Sequence, residues 1–366
     1  MSSEVASDRI QVALCCDDHY APMAGVTALS VLLNRTTALG IDLHICHAAL
    51  SPAQFEHFKT LERRFRCAVH FHAVSDKRVT GLREHLHISY AMYFRLLLPH
   101  MLSAYKRVIY LDCDLLVETD LEALWTMDLA GCAVAGWDEG EPQHLVRLGL
   151  TDDCYVNSGV LVMDLERWRD QAYGQACVDW IEANSQAAVL PDQDAMNVVL
   201  RGQKVRLAEH WNLNPVWREE SDLLARYPER VIHFGGPVKP WDACYDFELA
   251  QRFKRYVDFS PWKAIFPYRE PKNPTQQVIL AHQLADSGEV EGSCKRYHAA
   301  LMSMAEKRGE LPPLVIQTIN HAVRHYGLKR YAEAIEHFKD AVEFFGLPRQ
   351  YSKNIYRLGG LLDGMF

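Results

Sequence analysis

Short apolar segments alternate with helix-like segments along the first two thirds of the chain. The stretches IQVALCC at 10–16 and IDLHICH at 41–47 are rich in apolar residues, which is typical of strands buried in a parallel sheet. The segment after each carries a proline near its start, Pro22 in one and Pro52 in the other, followed by helix-forming residues. This alternation predicts an α/β fold with a doubly wound, mostly parallel sheet covered by helices.

Later stretches continue the same pattern. The further strand candidates are CAVHFHAV, RVIYLD, CAVAGW, SGVLVMD and RVIHF, and residues 165–184 are predicted to form one helix. Ligands of doubly wound sheets bind beyond the carboxyl ends of the strands, where the strand order reverses. Asp17, Asp112 and Asp114 directly follow predicted strands, so we expect their side chains at that edge of the sheet.

The chain is predicted to contain two domains. The stretch FPYREPKNPT at 266–275 holds three prolines and mixed charge, and the residues after it are mostly helix-forming. We expect a catalytic domain over 1–265, a linker over 266–275 and an all-helical extension over 276–366. Two segments of the extension share the residue spacing of a tetratricopeptide-like hairpin: Val290, Ser293, Tyr297 and Ala300, and Tyr331, Ala334, Phe338 and Ala341. A helical bundle without repeat ancestry fits the periodicity equally well.

Composition and charge exclude several classes of protein. The 366 residues are 49% hydrophobic and 23% charged, as expected of a folded protein, and the net charge of -8 is spread along the chain, which argues against a nucleic-acid binder. We expect neither a transmembrane helix nor a signal peptide, since long apolar runs and a basic, apolar start are lacking. The ten cysteines form no CxxC pair and are expected to be reduced thiols. A cytoplasmic location follows, with peripheral contact at the cytoplasmic face of a membrane left open.

Two carboxylates interrupt the apolar stretch RVIYLDCDLLVE at 107–118. Asp112 and Asp114 are two residues apart at the predicted end of a strand, where the chain can turn both toward one point. Hard divalent cations bind carboxylate oxygens and keep sites open for substrate phosphates. A DxD pattern alone is weak evidence, because a solvated strand end produces the same spacing.

A second polar cluster lies in VIHFGGPVKPW at 231–241. His233 is a candidate metal ligand, and the Gly235 and Gly236 pair allows the backbone to approach a phosphate closely. Lys239 offers a cation to phosphate oxygens. Taken singly, the histidine is typical of a hydrogen-bonded core residue and the glycines of a turn. Together with the DxD pattern, these residues indicate a diphosphate site.

Six motifs, in order, resemble the retaining nucleotide-sugar glycosyltransferases of family 8, whose bacterial members include lipopolysaccharide galactosyl- and glucosyltransferases. The resemblance covers about residues 10 to 262. The motifs are ALCCDDHY, HISYAMYFRLLLP, VIYLDCDLLV, YVNSGVLVMDLERWR, LPDQDAMN and IHFGGPVKPW. It implies a Rossmann-like nucleotide-diphospho-sugar transferase fold, known as GT-A, followed by the helical extension.

The resemblance also implies a role for each matching residue. Mn²⁺, with Mg²⁺ as the alternative, would be held by Asp112, Asp114 and His233. The uridine end of a UDP-sugar would meet Asp17, His19 and Tyr20, although His19 stands where other members often have Asn. The diphosphate would lie near His87, Gly236 and Lys239, and the donor sugar near Arg95. The catalytic group on the acceptor side would comprise Asp138, Asn157, Asp192 and Gln193, with Asp192 and Gln193 facing the anomeric carbon.

The implied reaction moves glucose or galactose from a UDP-sugar to a glycan, lipopolysaccharide or other hydroxyl acceptor, with retention of configuration. One alternative is a haloacid-dehalogenase-like phosphatase, which also places a DxD after a strand. That class usually has Thr or Val two residues after the second Asp, where this chain has Leu116, and some hundred residues precede the motif here. Another alternative is an inactive transferase domain that serves as a scaffold, with the terminal helices binding a protein partner or a second copy.

Overall fold

The computed structural model describes residues 9–75, 79, 82, 90–140, 142–150, 153–214, 223–236, 239–242, 245, 247–271, 273–309 and 311–347. The described residues form two compact units. The first contains the residues up to Phe234 together with Tyr256–Phe266, and the second contains Gly235–Arg255 and the residues from Pro267 onward. The domain boundaries at 265 and 275 stay predictions.

The first unit is built on a seven-stranded sheet. The strands of the described residues, including a separate pair, are β1 Arg9–Cys16, β2 Gly40–His47, β3 Ala68–Ala73, β4 Arg107–Leu111, β5 Leu115–Glu118, β6 Val134–Asp138, β7 Val156–Asp164, β8 Lys204–Leu207 and β9 Arg230–His233. The seven-stranded sheet has the order β3-β2-β1-β4-β7-β6-β8, and β5 pairs with β9 separately. Strand β7 is antiparallel to both of its neighbours, and the other pairs of the large sheet are parallel. The predicted α/β, mostly parallel sheet is confirmed.

Strand β1 lies inside the sheet, between β2 and β4, and most of its residues are apolar. Residues 10–16 are all buried, as a strand covered on both faces requires. The chain passes outward from β1 to β2 and β3 and returns to β4 on the other side of β1, where Val12 pairs with Ile109. The strand order therefore reverses between β1 and β4, which puts the ends of these two strands at the usual ligand-binding edge.

Helices cover this sheet. They are α1 Ala21–Leu33, α2 Pro52–Phe65, α3 Leu98–Met101, α4 Glu122–Trp125, α5 Pro142–Leu148, α6 Leu165–Asp170, α7 Tyr173–Ala183, α8 Pro191–Val199 and α9 Leu223–Arg226, with 3₁₀ turns at Tyr90–Leu97 and Glu209–Asn212. Helix α1 packs closely because Gly25 has no side chain: a Cβ there would lie 2.1 Å from the ring of Trp262. A further helix, α10, spans Phe247–Phe259.

The prediction of a single helix over 165–184 is wrong in one respect, because the structure has two helices there. Helix α6 ends at Asp170 and α7 begins at Tyr173, and between them Ala172 adopts a left-handed backbone conformation with φ 51°. Just after the break, a Cβ on Gly174 would lie 2.3 Å from the backbone oxygen of Leu96. The close approach of another segment therefore accompanies a break that helical periodicity does not reveal.

The second unit contains the terminal helices. They are α11 Pro274–Asp286, α12 Val290–Arg308, α13 Pro313–Gly327 and α14 Tyr331–Phe344. The last three positions of the shared spacing are buried in both helices, whereas the first ones, Val290 and Tyr331, are half-buried. The rings of Tyr297 and Phe338 stack with centroids 5.8 Å apart. The predicted helical extension is present, and its tetratricopeptide-like character stays a prediction. Among the helices of the described residues, none is long and apolar enough to cross a membrane.

Candidate metal and donor site

Two strand pairs bring the DxD carboxylates to one histidine. Strand β4 ends at Leu111, and β5 begins only four residues later, so Asp112 and Asp114 lie in the short link between two strands. In the β5–β9 pair, Leu115 lies opposite His233. Because adjacent residues of paired strands lie within a few ångström of each other, this register places His233 beside Asp114.

The side chains of Asp112, Asp114 and His233 form a compact ligand cluster. One candidate ligand atom from each residue lies within 4.8 Å of the other two. The Nε2 atom of His233 is 3.5 Å from Oδ1 of Asp114 and 3.9 Å from Oδ2 of Asp112. Two carboxylates and one imidazole are a suitable donor set for a divalent transition metal that must also bind phosphate oxygens.

Gly159 on β7 leaves room for this cluster. A Cβ atom at this position would lie 2.4 Å from Cε1 of His233 and 2.9 Å from Oδ2 of Asp112. The backbone oxygen of Gly159 also accepts a hydrogen bond from the amide of Asp112 at 2.8 Å. The glycine thus allows β7 to approach the cluster closely and holds the start of the DxD link in place.

Oδ1 of Asp112, the carboxylate oxygen that does not face His233, is bound by protein groups. Oδ1 accepts hydrogen bonds from the Tyr110 hydroxyl at 2.6 Å and from Nη2 of Arg95 at 2.9 Å. These bonds leave Oδ2 as the atom directed at His233. Burial alone would lower the pKa of the Arg95 guanidinium, but the negative charge of Asp112, followed by Tyr110 and Asp192, outweighs burial and raises that pKa. Arg95 is therefore a permanent cation of the site.

Arg95 connects the candidate ligand cluster to helix α8. Its Nε atom lies 3.2 Å from Oδ2 of Asp192, its Nη1 donates to the backbone oxygen of Ser158 at 2.6 Å, and its guanidinium lies 4.6 Å from the ring centre of Tyr110. Burial raises the pKa of the Asp192 carboxyl, and the positive charge of Arg95 opposes that rise. One buried arginine thus holds two carboxylates of the site in fixed positions.

Gln193 and Asn157 meet at Glu139. Oε1 of Gln193 accepts hydrogen bonds from the backbone amide of Ser158 at 2.9 Å and from its hydroxyl at 3.2 Å, and Nε2 of Gln193 donates to Glu139 at 3.4 Å. Nδ2 of Asn157 donates to the other oxygen of Glu139 at 2.6 Å. The structure therefore brings Gln193 and Asn157 together through a carboxylate that the sequence analysis did not single out.

Asn212 links the histidine to this network. Its Oδ1 lies 2.8 Å from Nδ1 of His233, and its Nδ2 donates to Oδ1 of Asn157 at 2.9 Å. The contact arises because Leu213 pairs with β9: its amide donates to the oxygen of Val231, and its oxygen accepts from the amide of His233. The backbone pairing places the preceding residue, Asn212, against the imidazole.

Asp138 lies at the end of β6 with different partners. Its Oδ2 accepts from Nε of Arg206 at 2.8 Å, and its Oδ1 accepts from the amide of Gly140 at 3.1 Å. Arg206 is largely exposed, so this ion pair is screened by solvent. The structure thus connects Asp138 to Arg206, whereas the neighbouring Glu139 joins Asn157.

The residues predicted at the uridine end lie directly after β1. Asp17 is half-buried, and its Oδ1 accepts a hydrogen bond from the amide of Tyr20 at 2.8 Å. His19 is exposed and makes an edge contact with the Tyr20 ring, with centroids 5.6 Å apart. Since β1 and β4 are neighbours, these residues lie at the same strand-order reversal as the DxD link.

Gly236, Lys239 and His87 are the remaining residues predicted to contact the diphosphate. Gly236 has φ 95°, a left-handed conformation that suits glycine. Lys239 is buried, and its backbone amide donates to Oδ2 of Asp242 at 2.7 Å. Both belong to the second unit. His87 lies outside the described residues, so its role stays a prediction.

Sequence reasoning missed three groups of this site. Glu139 directly follows the predicted Asp138, which is a weak signal for an acidic residue with a role. Asn212 stands in no motif quoted from the sequence, and Tyr110 reads as one more apolar residue of β4. Their roles depend on contacts between residues far apart in the chain, which a single sequence does not contain.

Comparison with known proteins agrees with this geometry. Residues 11–244 match the family described as Glycosyl transferase family 8. General stress protein A of Bacillus subtilis (strain 168) is 29% identical over a region that covers 70% of this chain and 96% of that protein. The lipopolysaccharide 1,2-glucosyltransferase of Escherichia coli (strain K12) is 25% identical over 79% of this chain and 90% of that enzyme.

Solved structures show the same fold. The crystal structure of the galactosyltransferase LgtC in complex with donor and acceptor sugar analogues has a TM-score of 0.62 and 25% sequence identity to this chain. The similarity covers 70% of this chain and 99% of that one. The predicted GT-A fold is confirmed by this similarity together with the mixed sheet.

Proposed function

The chain belongs to glycosyl transferase family 8 and is a glycosyltransferase, and we propose that it transfers glucose or galactose from a UDP-sugar, with retention of configuration, to a hydroxyl group of a glycan or lipopolysaccharide. The observation that carries the proposal is the cluster of Asp112, Asp114 and His233 at the strand-order reversal. The names of the relatives support the sugar classes, since one is a glucosyltransferase and another a galactosyltransferase. A phosphatase does not fit the family.

We propose Mn²⁺ as the metal of this cluster. Its ligands in the protein would be Oδ2 of Asp112, a carboxylate oxygen of Asp114 and Nε2 of His233. An imidazole nitrogen favours a transition metal over Mg²⁺, which prefers oxygen ligands. When bound, the ion supplies positive charge that stabilises the nucleotide diphosphate as it leaves.

Arg95 would hold the carboxylates of the donor site. As a buried cation, it is hydrogen-bonded to Asp112 and lies 3.2 Å from Asp192, and it would thereby hold both carboxylates beside the reacting sugar, where positive charge develops at the anomeric carbon. We propose that Asp192, Gln193, Asp138 and Asn157 surround the sugar and that Asp17, His19 and Tyr20 contact the uridine. Gly236, Lys239 and His87 are proposed at the diphosphate on the strength of the sequence motifs alone.

The hydrogen bonds of Gln193 favour one route to retention. Its carbonyl oxygen already accepts two hydrogen bonds from Ser158, and an amide oxygen is a weak nucleophile even when free. We therefore propose attack of the acceptor hydroxyl on the face that the diphosphate leaves. The acceptor oxygen forms the new bond to the anomeric carbon, the bond to the phosphate oxygen breaks, and the departing phosphate takes the hydroxyl proton.

Two finer features stand as proposals from the sequence. The helices α11 to α14 would act as a tetratricopeptide-like surface for a protein partner or a second copy, and the buried equivalent positions of α12 and α14 support a repeated packing unit. The cytoplasmic location is proposed on the composition of the chain.

A donor panel tests the proposed function. UDP release is measured from UDP-glucose, UDP-galactose and their N-acetyl and uronic acid counterparts, each with Mn²⁺, with Mg²⁺ or with EDTA. We expect slow hydrolysis of one hexose donor that requires Mn²⁺ and rises when a hydroxyl acceptor is added. Metal-independent turnover, or no turnover of any donor together with no thermal stabilisation by UDP and Mn²⁺, would overturn the proposal.

A further inference from the structure

We propose that Asn212 is a positioning residue that fixes the tautomer of His233, so that the imidazole presents a bare Nε2 to the cation shared with Asp112 and Asp114. The inference rests on the proposed metal site. Asn212 lies outside the ligand cluster, and a series of hydrogen bonds with chemically fixed donors and acceptors joins it to Asn157 and Glu139.

The series of hydrogen bonds starts at Asn157, whose amide orientation is set from two sides. The backbone amide of Gly159 donates to Oδ1 of Asn157 at 2.8 Å, and a backbone N–H can only donate, so the accepting atom is an oxygen. The other end of the Asn157 amide lies 2.6 Å from Oε1 of Glu139. An ionised carboxylate can only accept, so the amide nitrogen faces it. Both contacts require the same orientation.

Asn157 then fixes the orientation of Asn212. Oδ1 of Asn157 accepts hydrogen bonds, so the atom of Asn212 that lies 2.9 Å away is the amide nitrogen. The amide oxygen of Asn212 consequently faces His233, 2.8 Å from Nδ1. An amide oxygen accepts, so Nδ1 of His233 carries the hydrogen.

A neutral imidazole carries one hydrogen, so Nε2 of His233 has a free lone pair. This nitrogen lies 3.5 Å from Asp114 and 3.9 Å from Asp112. His233 and Asn212 are 6% and 1% exposed, so water cannot readily replace the amide as a partner of Nδ1. In the opposite tautomer two acceptors would face each other at 2.8 Å, and both would lose a hydrogen bond inside the protein. Asn212 thus prepares the histidine for a metal.

Two substitutions separate the acceptor function of Asn212 from its bulk. Asn212→Leu has a similar size and removes the acceptor, so Nδ1 of His233 loses its partner. We expect Mn²⁺ affinity to fall about 10- to 100-fold, the effect typical of losing a partner of a metal-ligating histidine. Asn212→Asp keeps an oxygen at Nδ1 but cannot donate to Asn157. Its Mn²⁺ affinity should remain close to that of the wild type.

The measurement is the dissociation constant of Mn²⁺, read from the electron paramagnetic resonance signal of the free ion, with and without UDP. Thermal melting of the metal-free proteins checks that each variant is folded. If wild type binds Mn²⁺ and Asn212→Leu binds it equally well, or if Asn212→Asp loses as much affinity as Asn212→Leu, the inference is wrong. If wild type and Asp114→Asn bind Mn²⁺ equally weakly, the proposed metal site itself is wrong.

A second measurement needs no variant of Asn212 to fold. Nitrogen-15 chemical shifts of the metal-free protein distinguish the two tautomers of a neutral histidine, and the signal of His233 is identified by its loss in His233→Gln. We expect the neutral imidazole to carry its hydrogen on Nδ1. A hydrogen on Nε2 would overturn the proposal.

Discussion

Nη2 of Arg95 lies 2.9 Å from Oδ1 of Asp112, so a buried cation is hydrogen-bonded to a carboxylate of the candidate ligand cluster. The contact explains how Asp112 can directly follow an apolar strand. Arg95 neutralises one side of Asp112, and the other oxygen is left facing His233. The protein thereby orients a carboxylate for a cation without leaving its full negative charge buried and unpaired.

The first prediction concerns the stability of this ion pair. Arg95→Met should lower the free energy of unfolding by about 3 kcal/mol, because it leaves the carboxylates of Asp112 and Asp192 without their buried cation. The matched control is Lys106→Met, which breaks a pair with Glu166 in which both side chains are more than half exposed, and it should change stability little. Urea unfolding at pH 7 measures both. Equal effects in the two variants would contradict the role given to Arg95.

The second prediction concerns the space beside the cluster. Gly159→Ala should lower metal-dependent turnover by about 100-fold or more, because its methyl group would overlap His233 and Asp112. Gly292→Ala is the control: its methyl group would meet the nearest heavy atom at 3.5 Å, and it should leave turnover unchanged. Steady-state rates across Mn²⁺ concentrations test the pair. A Gly159→Ala enzyme with wild-type Mn²⁺ dependence would refute the close approach.

The third prediction concerns pH and the histidine cluster of β2 and β3. His44 is fully buried, with Nδ1 3.0 Å from Nε2 of His72 and Nε2 2.8 Å from Oε1 of Gln11. Burial, followed by the positive charge of His72 and His70 when protonated, lowers the pKa of His44 to about 3. The usual value is about 6.5, so between these values the unfolded chain binds a proton that the folded chain does not.

The stability that His44 contributes should therefore be fully present above about pH 6.5, and it should be lost as the pH is lowered toward 3. Between pH 7 and pH 4.5 His44 should account for a loss of about 2 kcal/mol. The measurement is urea unfolding of wild type and His44→Gln at both pH values. The wild type should lose more stability than the variant on acidification. Identical losses would show that His44 does not remain neutral in the folded protein.

Local pattern predicted the strands that have their own separate apolar run. It missed β8, whose sequence KVRL alternates charged and apolar residues, and it did not separate β5 from β4. It could not predict which strands pair. RVIHF was predicted as a strand of the sheet pattern, and β9 instead pairs with β5 in a separate two-stranded sheet. This pairing is what brings His233 to Asp114, and it joins segments more than a hundred residues apart in the chain. A buried ion pair between Arg230 and Glu118 joins the far ends of the same two strands.

The candidate metal ligands could be proposed from the sequence because carboxylates and imidazole are residue types that commonly bind divalent cations. The supporting hydrogen bonds were not readable, because amides and tyrosines such as Asn212 and Tyr110 serve equally well in many other settings. Asn197 illustrates this: its side chain bonds to the amide and oxygen of Val156 and to the oxygen of Gln193, and so docks α8 on β7. Such contacts depend on tertiary packing that follows from the whole fold.

The most direct test of the central claim is the Mn²⁺-dependent release of UDP from the preferred UDP-hexose by wild type and by the double variant Asp112→Asn and Asp114→Asn. Asp128→Asn, which alters a carboxylate in an exposed turn, is the control. We predict that the double variant loses turnover by about 100-fold or more while remaining folded and that the control matches wild type. Wild-type turnover in the folded double variant would contradict the assignment of Asp112 and Asp114 as metal ligands of the transferase.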